Sequence, residues 1–422
     1  MIGSLYSGIS GLKANTSAMS VIGDNIANVD TTGFKVSKVS FSNVFSASLG
    51  QSSMQIGRGV TMSGMSANWN SGTVENTNNV TDLAINGQGM FIVSDPAGTA
   101  QYYSRAGQFE FDNQGQLVNQ DGFRVQGYPI DAAGNLGPIS DIALPAGMSV
   151  PLATNEITMG LNLDSAGTAY DTTLTVYDSL GNPIDLTFNF TRDDTPDLGG
   201  AVEWDYTVTS SNAALTIAPA SLTLGFTSTG ALDPASSTAV TASGSGLGSG
   251  HAISITGLTP AADMTGADAV VWRFTDTAGA TDGTATSYAS DSVKNAQTQN
   301  GYPTGMLQGI SVDENGIFTG LYSNGTMLSF AQIALADFAS YSGLMKQGSN
   351  LFTSSLSSGQ PVILAPNQGG IGAIAPSSLE MSNVDLATEF VELITTQRAF
   401  QANSKVITTS DEVLSDLINI KR

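Results

Sequence analysis

A chain of 422 residues exceeds what one domain usually holds, so several domains are expected. Its 36 acidic residues against 14 basic ones, net charge -22, repel phosphate polyanions, which excludes nucleic acid and anionic membranes as natural partners. No cysteine is present, so disulfides, thiolate metal sites and thiol nucleophiles are excluded.

At the N-terminus, Leu5, Leu12, Met19 and Ile26 recur every seven residues, and Ile9 and Ile22 fill adjoining positions of the same stripe. This spacing predicts an amphipathic helix from about Ser4 to Asn28. Gly3, Gly8, Gly11 and Gly23 weaken it, at about 1 kcal/mol for each interior glycine. The segment lacks the basic start and continuous apolar stretch of a secretory signal, and no run approaches the roughly 18 to 20 apolar residues of a membrane span. Export without a cleaved signal and no membrane insertion are therefore expected.

Residues 31–70, rich in Ser, Gly and Asn, read as an extended connector. From Asn86 to Ile130 the pattern becomes β-like, with Gly placed in turns such as DNQG and NQDG. The middle of the chain is acidic, with 18 acids against Arg192 and Arg273 between Gln126 and Val293. That composition reads as a solvated outer domain. Within it, Leu174 and Val176, a Gly-Asn-Pro turn, and then Ile184, Leu186, Phe188 and Phe190 predict a hairpin. Val202, Trp204, Tyr206 and Val208 predict another strand, as do Val270, Trp272 and Phe274. Thr241–Gly250 reads as a flexible loop, and the lone His251 beside it as a surface or strand-edge residue. Gly309–Tyr322 resumes the flanking β pattern.

A second heptad closes the chain: Leu386, Leu393, Phe400, Ile407 and Leu414, joined by Phe390, Leu417 and Ile418. Asp385, after Asn383, is a suitable helix opener, because its carboxylate accepts from free N–H groups. Each stripe needs a partner, and the other terminus is the simplest one. Asn15, Thr16, Gln397 and Ser404 interrupt the seams. Two outcomes stay open: an ordinary helical hairpin packed on the body, or a pair that stays mobile in the free subunit and orders among many copies.

No catalytic constellation emerges. One histidine cannot form a metal site or a nucleophile–base pair, and the acidic turns Val312–Gly316 and Phe111–Gly115 lack the closing Glu of an EF-hand loop. No enzyme activity, cofactor or metal is expected.

Three segments carry a family resemblance. Gly23–Lys35, GDNIANVDTTGFK, resembles the N-terminal signature of the flagellar rod and hook axial protein family. Tyr103–Pro129 is similar to that family's inner-domain core, and Ser382–Ile407 to its C-terminal helix signature. The residues matching these signatures are Asn25, Asn28, Thr32, Gly33, Phe34, Lys35, Asn383, Asp385, Gln397 and Arg398. Departures are small: Asp24 stands where Asn is common, and Met90 where an aromatic is common. Roughly 150 extra middle residues, including Val176–Pro183, and the return segment Asn295–Gly325 resemble the longer, hook-type members.

The resemblance implies a non-enzymatic subunit polymerising into the flexible curved tube that passes motor torque to the filament. Its implied partners are copies of itself, flagellar rod proteins, the hook cap and hook–filament junction proteins, and the flagellar export apparatus; its implied location is the flagellum, outside the cell. The expected fold is mainly β with terminal α-helices, built by concentric insertion of β-barrel or sandwich domains between coiled-coil-like N- and C-terminal helices. Expected boundaries are 1–30 with 383–422 for the helices, 31–70 for the connector, 71–150 with 300–382 for the inner β domain, and 151–299 for the distal one. A distal-rod-type protein and an extracellular adhesin-like β protein are the alternatives.

Overall fold

The computed structural model describes residues 2–45, 57–131, 134–145, 147–195, 198–212, 214–238, 241–242, 249–257, 264, 269–273 and 285–420. The chain forms two compact units: Met1–Pro145 with Gly309–Gly320 and Met327–Arg422, and Ala146–Gln308 with Leu321–Thr326.

In the first unit, helix α1 (Ile2–Ala27) is followed by strands β1 (Ser37–Phe45) and β2 (Gly57–Ala67). These two strands pair antiparallel, from Ser37 opposite Ala67 to Phe45 opposite Gly57, so residues 31–70 hold a long β-hairpin rather than an extended connector. Register shifts between Ser40 and Phe41, and between Asn43 and Phe45, break the period-2 alternation that would have marked these strands.

The inner sheet is assembled from both flanks of the insertion. Val93 pairs with Val125 within the first flank, while Leu335 pairs with Phe91, Ala331 with Pro129, and Phe352 with Tyr103 across the flanks. Alternation puts Phe91, Val93, Leu335 and Ile333 on one face with Leu83, Phe109 and Phe318. Met90, Ile92, Ala334 and Ala336 face the other way, against Tyr103, Phe338 and Phe352. Helix α2 (Leu386–Ile420) ends the unit; at 35 residues it is about 50 Å long.

The second unit packs two sheets on one core. Ala169–Tyr177 and Pro183–Asp193 pair along their whole length, and the latter pairs in turn with Val202–Ser210. The turn between the first two is set by Asp178, whose Oδ1 accepts from Leu180 N–H (2.9 Å) and Asn182 N–H (2.8 Å), with Gly181 at φ +83°. In the other sheet, Glu156–Asn162 lies parallel to Val270–Arg273 and antiparallel to Val293–Gln299. Trp272 sits 5.3 Å from Tyr206 and 5.8 Å from Phe188, ring to ring, joining the two sheets. The 321–326 turn belongs here because Asn324 Nδ2 donates to the Pro303 carbonyl (2.7 Å) and Met306 N–H to Ser323 Oγ (3.0 Å). Phe274 and most of the Thr241–Gly250 loop lie outside the described residues.

His251 is not at the surface: it is fully buried on the Ser249–Thr256 strand. The Tyr206 hydroxyl donates to its Nδ1 (2.7 Å), and its Nε2 lies 2.9 Å from the Thr238 carbonyl. A carbonyl only accepts, so Nε2 carries a proton, and burial keeps the ring neutral, which leaves Nδ1 to accept from the tyrosine. Sequence could not show this, because the residue's partners lie 45 and 13 positions away. Burial lowers its pKa to about 4, with the Thr238 carbonyl pulling the other way.

The unfolded ring takes up its proton near pH 6.5, so between there and about pH 4 the unfolded state binds more protons. The second unit is therefore expected to hold its full stability above pH 6.5 and to lose up to about 3 kcal/mol as pH falls to 4. Urea unfolding of the wild type and of His251→Gln across this range checks it: the variant should lose the slope between pH 6.5 and 5.

Candidate assembly site

The heptads of the two termini do meet, along a narrow seam. Gly8, Gly11, Ala14 and Ile22 of α1 are buried, as is Asn25 near its end, while the heptad residues Leu393, Phe400, Ile407 and Leu414 of α2 are half-buried. The glycines that weaken α1 mark the close approach: a Cβ on Gly11 would lie 2.7 Å from Asn403 Nδ2, and one on Gly8 would lie 3.1 Å from Ile407 Cγ1. Gly23 has no such neighbour. Leu5, Leu12, Met19 and Ile26 are half-buried.

The other stripe residues face outward. Ile9, Leu386 and Phe390 are exposed, as are Val391, Ile394, Val406 and Val413 of α2. Phe390 is 50% exposed and Val391 62%. The intramolecular partner thus covers one side of each helix and leaves an apolar side open. The side chains of Leu417 and Ile418 lie outside the described residues.

The β1–β2 hairpin lies along α1. Val60 N–H donates to Ser10 Oγ (3.2 Å), and Gly59, at φ +104°, leaves the space that Ser10 fills. Asn25 closes the other end: its Nδ2 donates to the Ser37 carbonyl (2.9 Å) and to Glu389 Oε2 (3.1 Å), while its Oδ1 accepts from Ser37 N–H (3.0 Å). One buried amide therefore ties α1, β1 and α2 together.

Below this, the Thr-Gly-Phe-Lys turn docks on the inner sheet. Gly33, at φ +69°, abuts the Arg105–Ala106 backbone, where a Cβ would sit 2.6 Å from Ala106 N. Its N–H donates to the Glu380 carbonyl (2.7 Å), and Asn350 Nδ2 donates to the Thr32 carbonyl (2.9 Å). Phe34 is buried with the Lys346 ammonium 5.4 Å from its ring centre. Trp69, just after β2, packs 5.0 Å from Phe352 and 5.2 Å from Tyr341.

The centre of the junction is a buried charge cluster. Glu380 Oε1 accepts from Lys35 Nζ (2.5 Å) and Gly72 N–H (2.9 Å), and its Oε2 accepts from Arg105 Nη1 (3.0 Å). Lys35 also donates to the Asn70 carbonyl (2.9 Å), and Arg105 to the Ile85 (3.3 Å) and Gly87 (2.6 Å) carbonyls. Desolvation holds the Lys35 ammonium below its usual range, although Glu380 pulls the other way.

Asn383 bridges the remaining strands: its Oδ1 accepts from Val36 N–H (2.8 Å), and its Nδ2 donates to the Asn68 and Asn70 carbonyls (both 2.9 Å). Asp385 caps α2 through Ala387 N–H and Thr388 Oγ1 (2.9 Å each), and these bonds lower its pKa. Asn28 closes α1, donating to the Asp24 carbonyl (2.9 Å) and accepting from Thr31 Oγ1 (3.1 Å).

The structure thus gathers most of the signature residues at one junction, while Gln397 and Arg398 stand exposed about three turns further along α2. Sequence reading missed Arg105, Glu380, Glu389 and Trp69. The available signal was a lone charge inside an apolar setting, as in Leu379-Glu380-Met381.

Asp112 and Asp313, of the two acidic turns, accept from their own turn N–H groups, and no metal-holding group of His, Asp or Glu occurs among the described residues.

Family models match along the chain: residues 5–35 match a flagella basal body rod protein, 84–167 a flagellar hook protein FlgE/F/G D1 domain, 157–302 a flagellar basal body protein FlaE D2 domain, and 375–420 a flagellar basal body rod FlgEFG protein C-terminal segment. The flagellar hook protein FlgE of Borreliella burgdorferi is 33% identical over 457 residues, with 100% of both chains covered. Those of Salmonella typhimurium and Escherichia coli K12 are 33% and 32% identical, with 98% of each chain covered.

The chain belongs to the flagellar hook protein family. The hook-family D1 match covers the first flank of the inner sheet and runs on into the start of the second unit, and the D2 match falls on the second unit. A crystal structure of Helicobacter pylori flagellar hook protein FlgE2 shares the fold, with TM-score 0.53 and 14% identity over 73% of this chain and 100% of that one.

Proposed function

We propose that this chain is the structural subunit of the flagellar hook, polymerising through its terminal helices into a flexible curved tube that serves as a universal joint between motor and filament. The observation that carries this reading is end-to-end similarity to proteins named as flagellar hook proteins, covering the helices, the hairpin and both β units. The open apolar sides of α1 and α2 supply a surface for further copies of the same chain. The subunit acts without catalysis, metal or cofactor. Its other partners are flagellar rod proteins, the hook cap, the hook–filament junction proteins and the export apparatus, which delivers it to the cell exterior without signal-peptide cleavage.

A rod-type role is the second reading, since two matched family models are described as basal body rod proteins. Straight assemblies favour that role, and curved ones favour the hook.

Trimming about 30 residues from each end tests the role of the helices. The expected product is a folded, soluble chain that forms no tubes under conditions where the full chain does, as judged by electron microscopy and sedimentation. Tubes from the trimmed chain would overturn the assignment.

A further inference from the structure

Torque that enters a tube through its helices must reach the β units through a few strands of backbone. The chain crosses between the helical layer and the inner sheet at residues 68–73 and 381–385, and the 31–36 turn rests on the sheet between them. All three paths converge on Glu380. Its carboxylate takes Lys35 from the docking turn, Gly72 from the first crossing and Arg105 from the inner sheet. Its backbone pairs with β3 (Val74–Asn76) opposite Val74, and its carbonyl accepts from Gly33. At the next residue, Met381 N–H donates to the Thr73 carbonyl (2.8 Å).

We propose that Glu380, with Lys35 and Arg105, is the clamp that passes twist from the terminal helices to the inner sheet, a role that rests on the hook reading above. Rotation of the helices against the sheet slides these three paths past one another. The clamp resists that sliding because the docking turn, the first crossing and the inner sheet each donate to one side chain, which stands at the head of the second crossing. A carboxylate is suited to this position: it accepts along several directions at once, and charged donors make its hydrogen bonds short and strong. The cluster is fully buried, so water cannot replace a bond that is stretched.

The test is the twist fluctuation of a bead tethered through a single tube. Lys35→Met with Glu380→Gln keeps the local charge at +1 and removes the charged side-chain tie between the docking turn and the crossings, leaving the Gly33 and Asn383 hydrogen bonds in place. Those tubes are expected to assemble, because the helix–helix seam is untouched, and to show a twist variance about twofold larger or more. Arg105→Lys keeps its charge but loses its fork onto the Ile85 and Gly87 carbonyls, and its tubes are expected to fall between the two. Wild-type variance in the double variant overturns the clamp. Wild-type variance in Arg105→Lys overturns it too, even where the double variant builds no tubes. A wild-type chain that forms no tube at all overturns the hook reading, and the torque role with it.

Discussion

Glu380→Gln is expected to destabilise the inner unit by about 3 to 5 kcal/mol. The substitution keeps the size of the side chain and leaves the Lys35 ammonium and the Arg105 guanidinium side by side, 2% and 3% exposed, with no counter-charge between them. The cost of an uncompensated buried cation far exceeds the net value of the original ion pairs, because those had already given up their hydration. The same asymmetry predicts a rescue. Removing one cation as well, by Lys35→Met, should recover at least half of the loss, since a methionine stem fills the space and needs no partner. Amide hydrogen exchange at the Met90–Ser94 strand reads the inner unit alone and gives both numbers. A Glu380→Gln chain within about 1 kcal/mol of wild type would show that the carboxylate is not the charge holding this junction.

The junction was half legible in the sequence, and the reasons are physical. The heptads of Leu5 to Ile26 and Leu386 to Leu414 are local patterns with one period, so both helices could be read directly. The signature residues of the first terminus could be grouped because Asn25 to Lys35 are continuous in the chain. The pairing of Glu380 with Arg105 was not legible, since the two are 275 residues apart and the apolar setting of Glu380 shows that it needs a partner without showing which one. The same holds for His251 and Tyr206.

The β1–β2 hairpin was hidden for another reason. Its register shifts break the alternation, and Phe41, Met62 and Met65 stay exposed, so it lacks the polar-out pattern of an ordinary half-buried pair. The second unit was easier, because Leu174, Val176, Leu186, Phe188, Trp204 and Tyr206 alternate cleanly into a single core. Apolar residues left open on α1, α2 and the hairpin are what a chain shows when its final core is shared with copies of itself.

Gly11→Leu is expected to raise the concentration needed for tube formation about a hundredfold or more, equivalent to about 3 kcal/mol lost at the helix seam. Glycine at this position is the worst ordinary residue for the helix itself, so propensity alone predicts that any replacement helps assembly. Packing predicts the reverse: a Cβ here already lies 2.7 to 2.8 Å from the Asn403 amide, and a branched side chain needs the volume that α2 occupies. Gly23→Ala supplies the contrast, since no neighbouring atom lies within 4 Å of its added methyl, and it should stabilise α1 by about 1 kcal/mol without harming assembly. The intermediate case is Gly11→Ala, where the obstacle is the tip of the Asn403 side chain rather than backbone, so Asn403→Ala should restore what Gly11→Ala loses. Critical concentrations from sedimentation rank the four chains. Should Gly11→Leu assemble as readily as Gly23→Ala, the glycines of α1 would be a matter of helix propensity alone, and the seam they face would not be a close contact in the tube.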